Sequence, residues 1–184
     1  ILHLPVVQKR VRAFANVELF TNDHTGVAEA TWDHVQQGRT GALPSAPPSA
    51  PPSHLADTGP CGDSDLVVSA NLLTQLPLMP LGLLLEKAPT YPEDEAKAFA
   101  RRIVDHHLEL LAALPGRVCL LTESQRVICD GDQVLQEIDP LFGAAIPASG
   151  LKWTWDIAPR PEITRRIDLR FRMIGIADLK AALN

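Results

Sequence analysis

Asp65-Leu-Val-Val-Ser-Ala-Asn-Leu-Leu-Thr-Gln-Leu76 decides how the rest of the chain is read. The stretch opens on an acid, runs through a short apolar strand over 65–69, and leaves it on small and polar residues before an apolar helix. Uninterrupted apolar strands of this kind are those covered by helices on both faces, as in parallel sheets. In open α/β sheets, ligands bind beyond the carboxyl ends of the strands, which places Ser69, Ala70 and Asn71 at a site. Taken alone, the same residues also describe an ordinary strand followed by an Asn helix cap.

The 184 residues suffice for one domain with a sizeable core. A formal charge of −5 provides no basic field for nucleic acid or an anionic membrane. The small basic clusters at Lys9, Arg10 and Arg12 and at Arg165, Arg166, Arg170 and Arg172 read as solvated faces. Cys61, Cys119 and Cys129 form an odd set without paired spacing, which fits a reducing compartment and a cytoplasmic protein. The most apolar run, 76–85, is interrupted by Pro77 and Pro80 and is too short to span a membrane. No signal peptide is expected.

Moving outward from the opening stretch, residues 1–4 read as the tail of a strand, and Pro5 suits the first turn of a helix. Val7, Val11 and Phe14 recur at helical spacing, Asn16 ends that helix, and 17–21 is a strand. A short helix is expected over 27–35. Residues 38–64 carry Pro44, Pro47, Pro48, Pro51, Pro52 and Pro60 among Ser, Ala and Gly, the composition of an extended insertion within one domain. Tyr91-Pro-Glu-Asp-Glu opens a longer helix with acids in its first turn, and Pro115-Gly116 stops it. Its buried stripe is Ala96, Phe99, Ala100, Ile103, His107, Leu110 and Leu114. Strands are expected over 117–122 and 125–129, the latter turning at Asp130-Gly131. Two more, over 153–157 and 168–176, are joined by a connection too short for a crossover helix and therefore pair antiparallel.

This order of elements resembles the carboxyl-terminal two-thirds of a class I S-adenosylmethionine-dependent methyltransferase. The resemblance implies an α/β, Rossmann-like, mostly parallel sheet with helices on both faces, closing in a carboxyl-terminal antiparallel pair. The family's last strand is inserted antiparallel. Residues 1–4, 17–21, 65–69 and 117–122 would match its second to fifth strands, within a single partial domain over 1–184. The family's loop after the third strand carries an acid near the adenine, here Asn22, Asp23 and His24, with Asp23 the best match. Asp23 equally suits a turn ahead of Gly26. The resemblance further implies that Ser69, Ala70 and Asn71 line the methionine moiety of S-adenosylmethionine and that Thr74 and Gln75 face a small-molecule acceptor.

The chain departs from the family in two respects. It contains no Gly-x-Gly, so the family's first strand and its glycine turn have no counterpart, and the first strand is expected to be missing. The acid that ends the family's second strand and holds the ribose hydroxyls would fall at or before Ile1 and has no match. These residues alone are expected to bind S-adenosylmethionine poorly or not at all. The alternative is a non-catalytic Rossmann-like scaffold serving dimerisation or regulation, with a homodimer contact along 76–85.

Other chemistry is set aside on spacing. His106 and His107 point about 100° apart on a helix and cannot chelate one metal together. His107 reads as a core histidine, and no metal site is expected. Asp130-Gly-Asp132 lacks the remaining ligands of a calcium loop and is a turn. Glu123, just past the fifth strand, suits a pocket lip, but a solvated turn residue is the preferred reading; Trp153 and Trp155 share one face of a strand and could stack on an aromatic acceptor, with packing preferred. Methyl transfer needs alignment more than acid–base chemistry, and no residue is singled out as catalytic.

Overall fold

The structure, a computed structural model, describes residues 4–17, 19 and 64–183. Helix α1 spans Leu4–Val11, so Leu4 begins a helix and is not the tail of a strand. The helix ends at Val11, short of Asn16, and Phe14 is 59% exposed. Residues 1–3, the helix over 27–35, nearly all of the 38–64 insertion and most of the 17–21 strand lie outside the described residues. So do Asn22, Asp23 and His24.

Strand β1, Leu66–Ala70, leads into α2, Leu78–Lys87, and α3, Glu93–Ala113. Pro77 and Pro80 initiate α2 and do not break it: Pro77 is its N-cap and Pro80 its third residue, where no helical N–H is needed. Acids Glu93, Asp94 and Glu95 occupy the first turn of α3, facing the positive end of the helix dipole. Its buried stripe holds Ala96, Phe99, Ala100, Ile103 and His107 as the sequence predicts, joined by Val104, His106 and Leu111. Leu110 and Leu114 are only partly buried.

Strand β2, Arg117–Asp130, follows, then β3 over Gln133–Ile138, β4 over Leu151–Ala158, β5 over Asp168–Ile176 and the short helix α4, Leu179–Leu183. β2 is one strand of 14 residues where the sequence suggests two, and its polar middle is absorbed by a bulge between Glu123 and Gln125. The turn expected at Asp130-Gly131 joins β2 to β3, with Gly131 at φ 63°.

The strand order is β1-β2-β5-β4, with β3 beside β2. β1 and β2 run parallel; β2–β3, β2–β5 and β4–β5 run antiparallel. The described sheet is therefore mixed rather than mostly parallel, because after β2 the chain returns through short connections that permit only antiparallel neighbours. The antiparallel closing pair is as expected. β1, expected inside the sheet, has β2 as its one strand neighbour among the described residues.

Val67, Val118, Leu120, Ile174 and Ile176 share one sheet face and pack with Val104 and Leu111 of α3, Leu73 and Leu179. Each such side chain taken from water contributes roughly 1.5–3 kcal/mol. On the opposite face Leu66 is 54% exposed and Val68 52%. The helical cover expected on both faces is thus complete only on the α3 side. At the far end of the sheet, Asp168 accepts from the Arg160 backbone N–H at 2.8 Å and from its Nε at 3.1 Å, closing the β4–β5 connection. These contacts, the backbone bond foremost, hold the Asp168 carboxyl below its ordinary range.

Two outcomes follow from this packing. A Cβ at Gly116 would collide with the carbonyl oxygen of Ser64, where the chain entering β1 passes the start of β2. Gly116→Ala should destabilise the fold by about 1–3 kcal/mol in urea unfolding. Burial holds the His106 imidazole below its ordinary value, with Glu109 opposing. A base depressed in the folded chain contributes stability that is full above about pH 6.5 and declines as the pH falls through that value. Thermal melts should therefore show a loss between neutral and mildly acidic pH that His106→Gln reduces; an unchanged pH dependence in the variant would count against it. The Asp168 contribution falls away separately, at lower pH.

Candidate functional site

β2 is longer than any single neighbour, and this creates a notch. Along one of its edges β1 pairs up to Ala70↔Leu121, and β3 takes over only at Ile138↔Arg126. Between them, Thr122 to Gln125 have no strand partner on that edge among the described residues. The notch lies at the carboxyl end of a parallel strand, the place where open α/β sheets receive ligands.

Asn71 forms one lip. Its N–H donates to the Leu121 carbonyl at 2.8 Å, and the chain then turns away with Asn71 at φ 54°. Asn tolerates this left-handed backbone better than most residues. The turn from Leu72 to Leu76 sends Leu73 into the core, while Thr74, 3% exposed, faces β2. There it donates from Oγ1 to Glu123 Oε1 at 2.8 Å.

Glu123 is the acid of the notch. It is 5% exposed and not the solvated turn residue of the sequence reading, because β2 continues through it. Arg126 donates from Nη2 to Oε1 at 2.6 Å and from Nε to Oε2 at 3.3 Å. The Arg126 guanidinium also lies 5.1 Å from the centre of the Phe171 ring. The bulge at Ser124 brings Glu123 and Arg126 to the same face. With both oxygens accepting from Arg126 and one also from Thr74, the carboxylate is a structural anion and a poor candidate for a general base.

The open hydrogen-bonding capacity sits on Asn71. Its Oδ1 is buried and has no hydrogen-bond partner among the described residues. A buried carbonyl left in this state costs roughly 1–3 kcal/mol. A ligand N–H or O–H entering the notch would recover that energy. The combination of left-handed backbone and orphan acceptor is what functional sites tend to store.

The other expected site residues divide as follows. Ser69 points to the core side, with Oγ 3.3 Å from His107 Nε2. Ala70 is exposed on the opposite face, at the end of β1, and Gln75 is exposed one turn beyond. Asn71 and Thr74 are therefore brought together at the notch, while Ser69 and Gln75 are directed elsewhere. Asn22, Asp23 and His24 lie outside the described residues. Sequence reasoning weighed Glu123 as a pocket lip but preferred a solvated turn, and it missed Arg126; the signal was an acid and a base three apart, flanked by β-forming residues on both sides.

A cleft of about 460 Å³ opens beside the notch, where Ser124 meets Ile146, Pro147, Lys152, Arg172 and Ile174. Its size lies within the range of small-molecule sites. Among the described residues no group of three or more His, Cys, Asp and Glu side chains is placed to hold a metal.

Glu123→Ala should cost about 2 kcal/mol in chemical denaturation, since it leaves Arg126 and Thr74 without their buried acceptor. Thr74→Val should cost less, because Arg126 still neutralises the acid. Equal losses in the two variants would mean that the Arg126 pair contributes nothing. No protein-family model matches the chain, nor does any curated protein or solved structure.

Proposed function

We propose that this chain is a methyltransferase-type domain of the class I S-adenosylmethionine-dependent kind, with a Rossmann-like fold, acting on a small-molecule acceptor. The observation that carries the reading is the position of β5. It is the last strand, and it lies antiparallel between β2 and β4. That is the closing arrangement the resemblance implies, with β1 and β2 as the fourth and fifth strands. The open edge of β1 is where that family's first strand would sit.

The notch fits such a cofactor in part. Asn71 Oδ1 offers an acceptor to an amino group or hydroxyl, and Ala70 and Thr74 flank it. S-adenosylmethionine, when bound, supplies an electrophilic methyl group. The contribution of the protein is positional: Asn71 is fixed through its N–H to Leu121, and the Glu123–Arg126–Thr74 cluster sets the wall against which a ligand rests. Alignment of this kind is the main requirement of an in-line displacement. The neighbouring cleft would take the acceptor.

The second reading, a non-catalytic scaffold, draws support from the half-exposed Leu66 and Val68 and from Met79, 80% exposed on α2. Large exposed apolar residues suit contact with another subunit.

Titration calorimetry with S-adenosylhomocysteine separates the two. The 184-residue chain should bind weakly. The same chain carrying whatever its gene encodes upstream of Ile1 should bind in the micromolar range, about −8 kcal/mol, with Asn71→Ala about tenfold weaker. No binding by any form would discard methyl transfer in favour of the scaffold.

A further inference from the structure

We infer that β4 is a self-pairing edge through which two copies of this chain join their sheets. β4 ends the strand order and has β5 as its one strand neighbour among the described residues. Its outer edge presents backbone N–H and C=O groups, and every residue from Leu151 to Asp156 is exposed. Edges that must stay single are blunted by proline, a central bulge, short length or charged side chains, and the charges of β4, Lys152 and Asp156, are of opposite sign and so can be paired by a partner strand. β4 contains no proline, and its irregularity falls at the end, between Asp156 and Ala158.

The occupant is indicated by the strand's own symmetry. Leu-Lys-Trp-Thr-Trp-Asp over Leu151–Asp156 is self-complementary about Thr154. Consider an antiparallel pair related by a twofold axis through Thr154, perpendicular to the sheet. Lys152 then faces the partner's Asp156, Trp153 faces the partner's Trp155, and Thr154 meets its own copy. Both charge pairs fall on one face and the four indoles on the other. A twofold centred on residue 153 or 155 sets each charge opposite an uncharged residue and loses both ion pairs. A twofold centred between two residues places opposite faces against each other.

The charge state within one chain agrees with this. Asp156 reaches Arg170 at 3.1 Å, whereas Lys152 has no ion-pair partner among the described residues. On the other face Trp153 and Trp155 are 38% and 42% exposed, with Trp153 lying over Gly175. Directly opposed opposite charges and aromatic pairs are the contacts that favour one strand register over another. Isologous twofold contacts are also the commonest way that identical chains associate.

The inference does not depend on the function proposed above. Sedimentation equilibrium on the 184-residue chain should give a dimer. Lys152→Asp and Asp156→Lys each place like charges opposite twice, and each variant alone should dimerise at least about tenfold more weakly. Mixed together, the two variants restore both charge pairs and should form a heterodimer as tight as the wild type. Far-UV circular dichroism confirms that each variant is folded, and the mixing step works even if one is less stable. A monomeric wild type, single variants that dimerise undiminished, or variants that fail to combine would each overturn the inference.

Discussion

One long strand sets the terms for everything else. β2 has 14 residues, against roughly five or six in an ordinary strand, and the backbone groups it buries call for partners on both of its edges. β5 satisfies one edge from Leu120 to Cys129. On the other edge no single neighbour is long enough, so β1 serves the first part and β3 the last. The notch at residues 122–125 is the interval between those two partners. The notch therefore arises from a mismatch of strand lengths, before any particular side chain is considered.

The side chains then make the interval polar without leaving it unstable. Glu123 could not lie buried at that position as an isolated anion. Arg126 reaches it because the bulge restores both residues to one face, and Thr74 reaches it because the turn after β1 brings the chain back over β2. Asn71 is the exception, with an acceptor left unused. Its contrast with the fully engaged Glu123 marks where a ligand would add something and where it would not.

The two ends of the sheet differ in kind. At β1, the exposed apolar residues Leu66 and Val68 lie on a strand whose one strand neighbour among the described residues is β2. At β4, Lys152 and Asp156 carry opposite charges on one face of the strand, and Asp156 already meets Arg170. The chemistry of each edge limits which neighbour a sheet accepts there.

Much of the local structure was legible in the residues. The α3 helix follows from its acids, its apolar stripe and the Pro115-Gly116 stop, and β1, β4 and β5 follow from their β-forming runs. The antiparallel closing pair follows from a connection too short to cross over. Two features were not legible. The continuity of β2 through Glu123-Ser124-Gln125 was hidden because polar residues resemble a turn until a neighbouring strand and a distant arginine accommodate them. β3 was missed because its residues are almost wholly exposed and lack the period of a half-buried strand. The sequence by itself determined that α3, β1, β4 and β5 become helix or strand, since propensity and periodicity are local. Only the tertiary structure decided which strands adjoin and which acid is buried, because those outcomes rest on pairings between residues far apart in the chain.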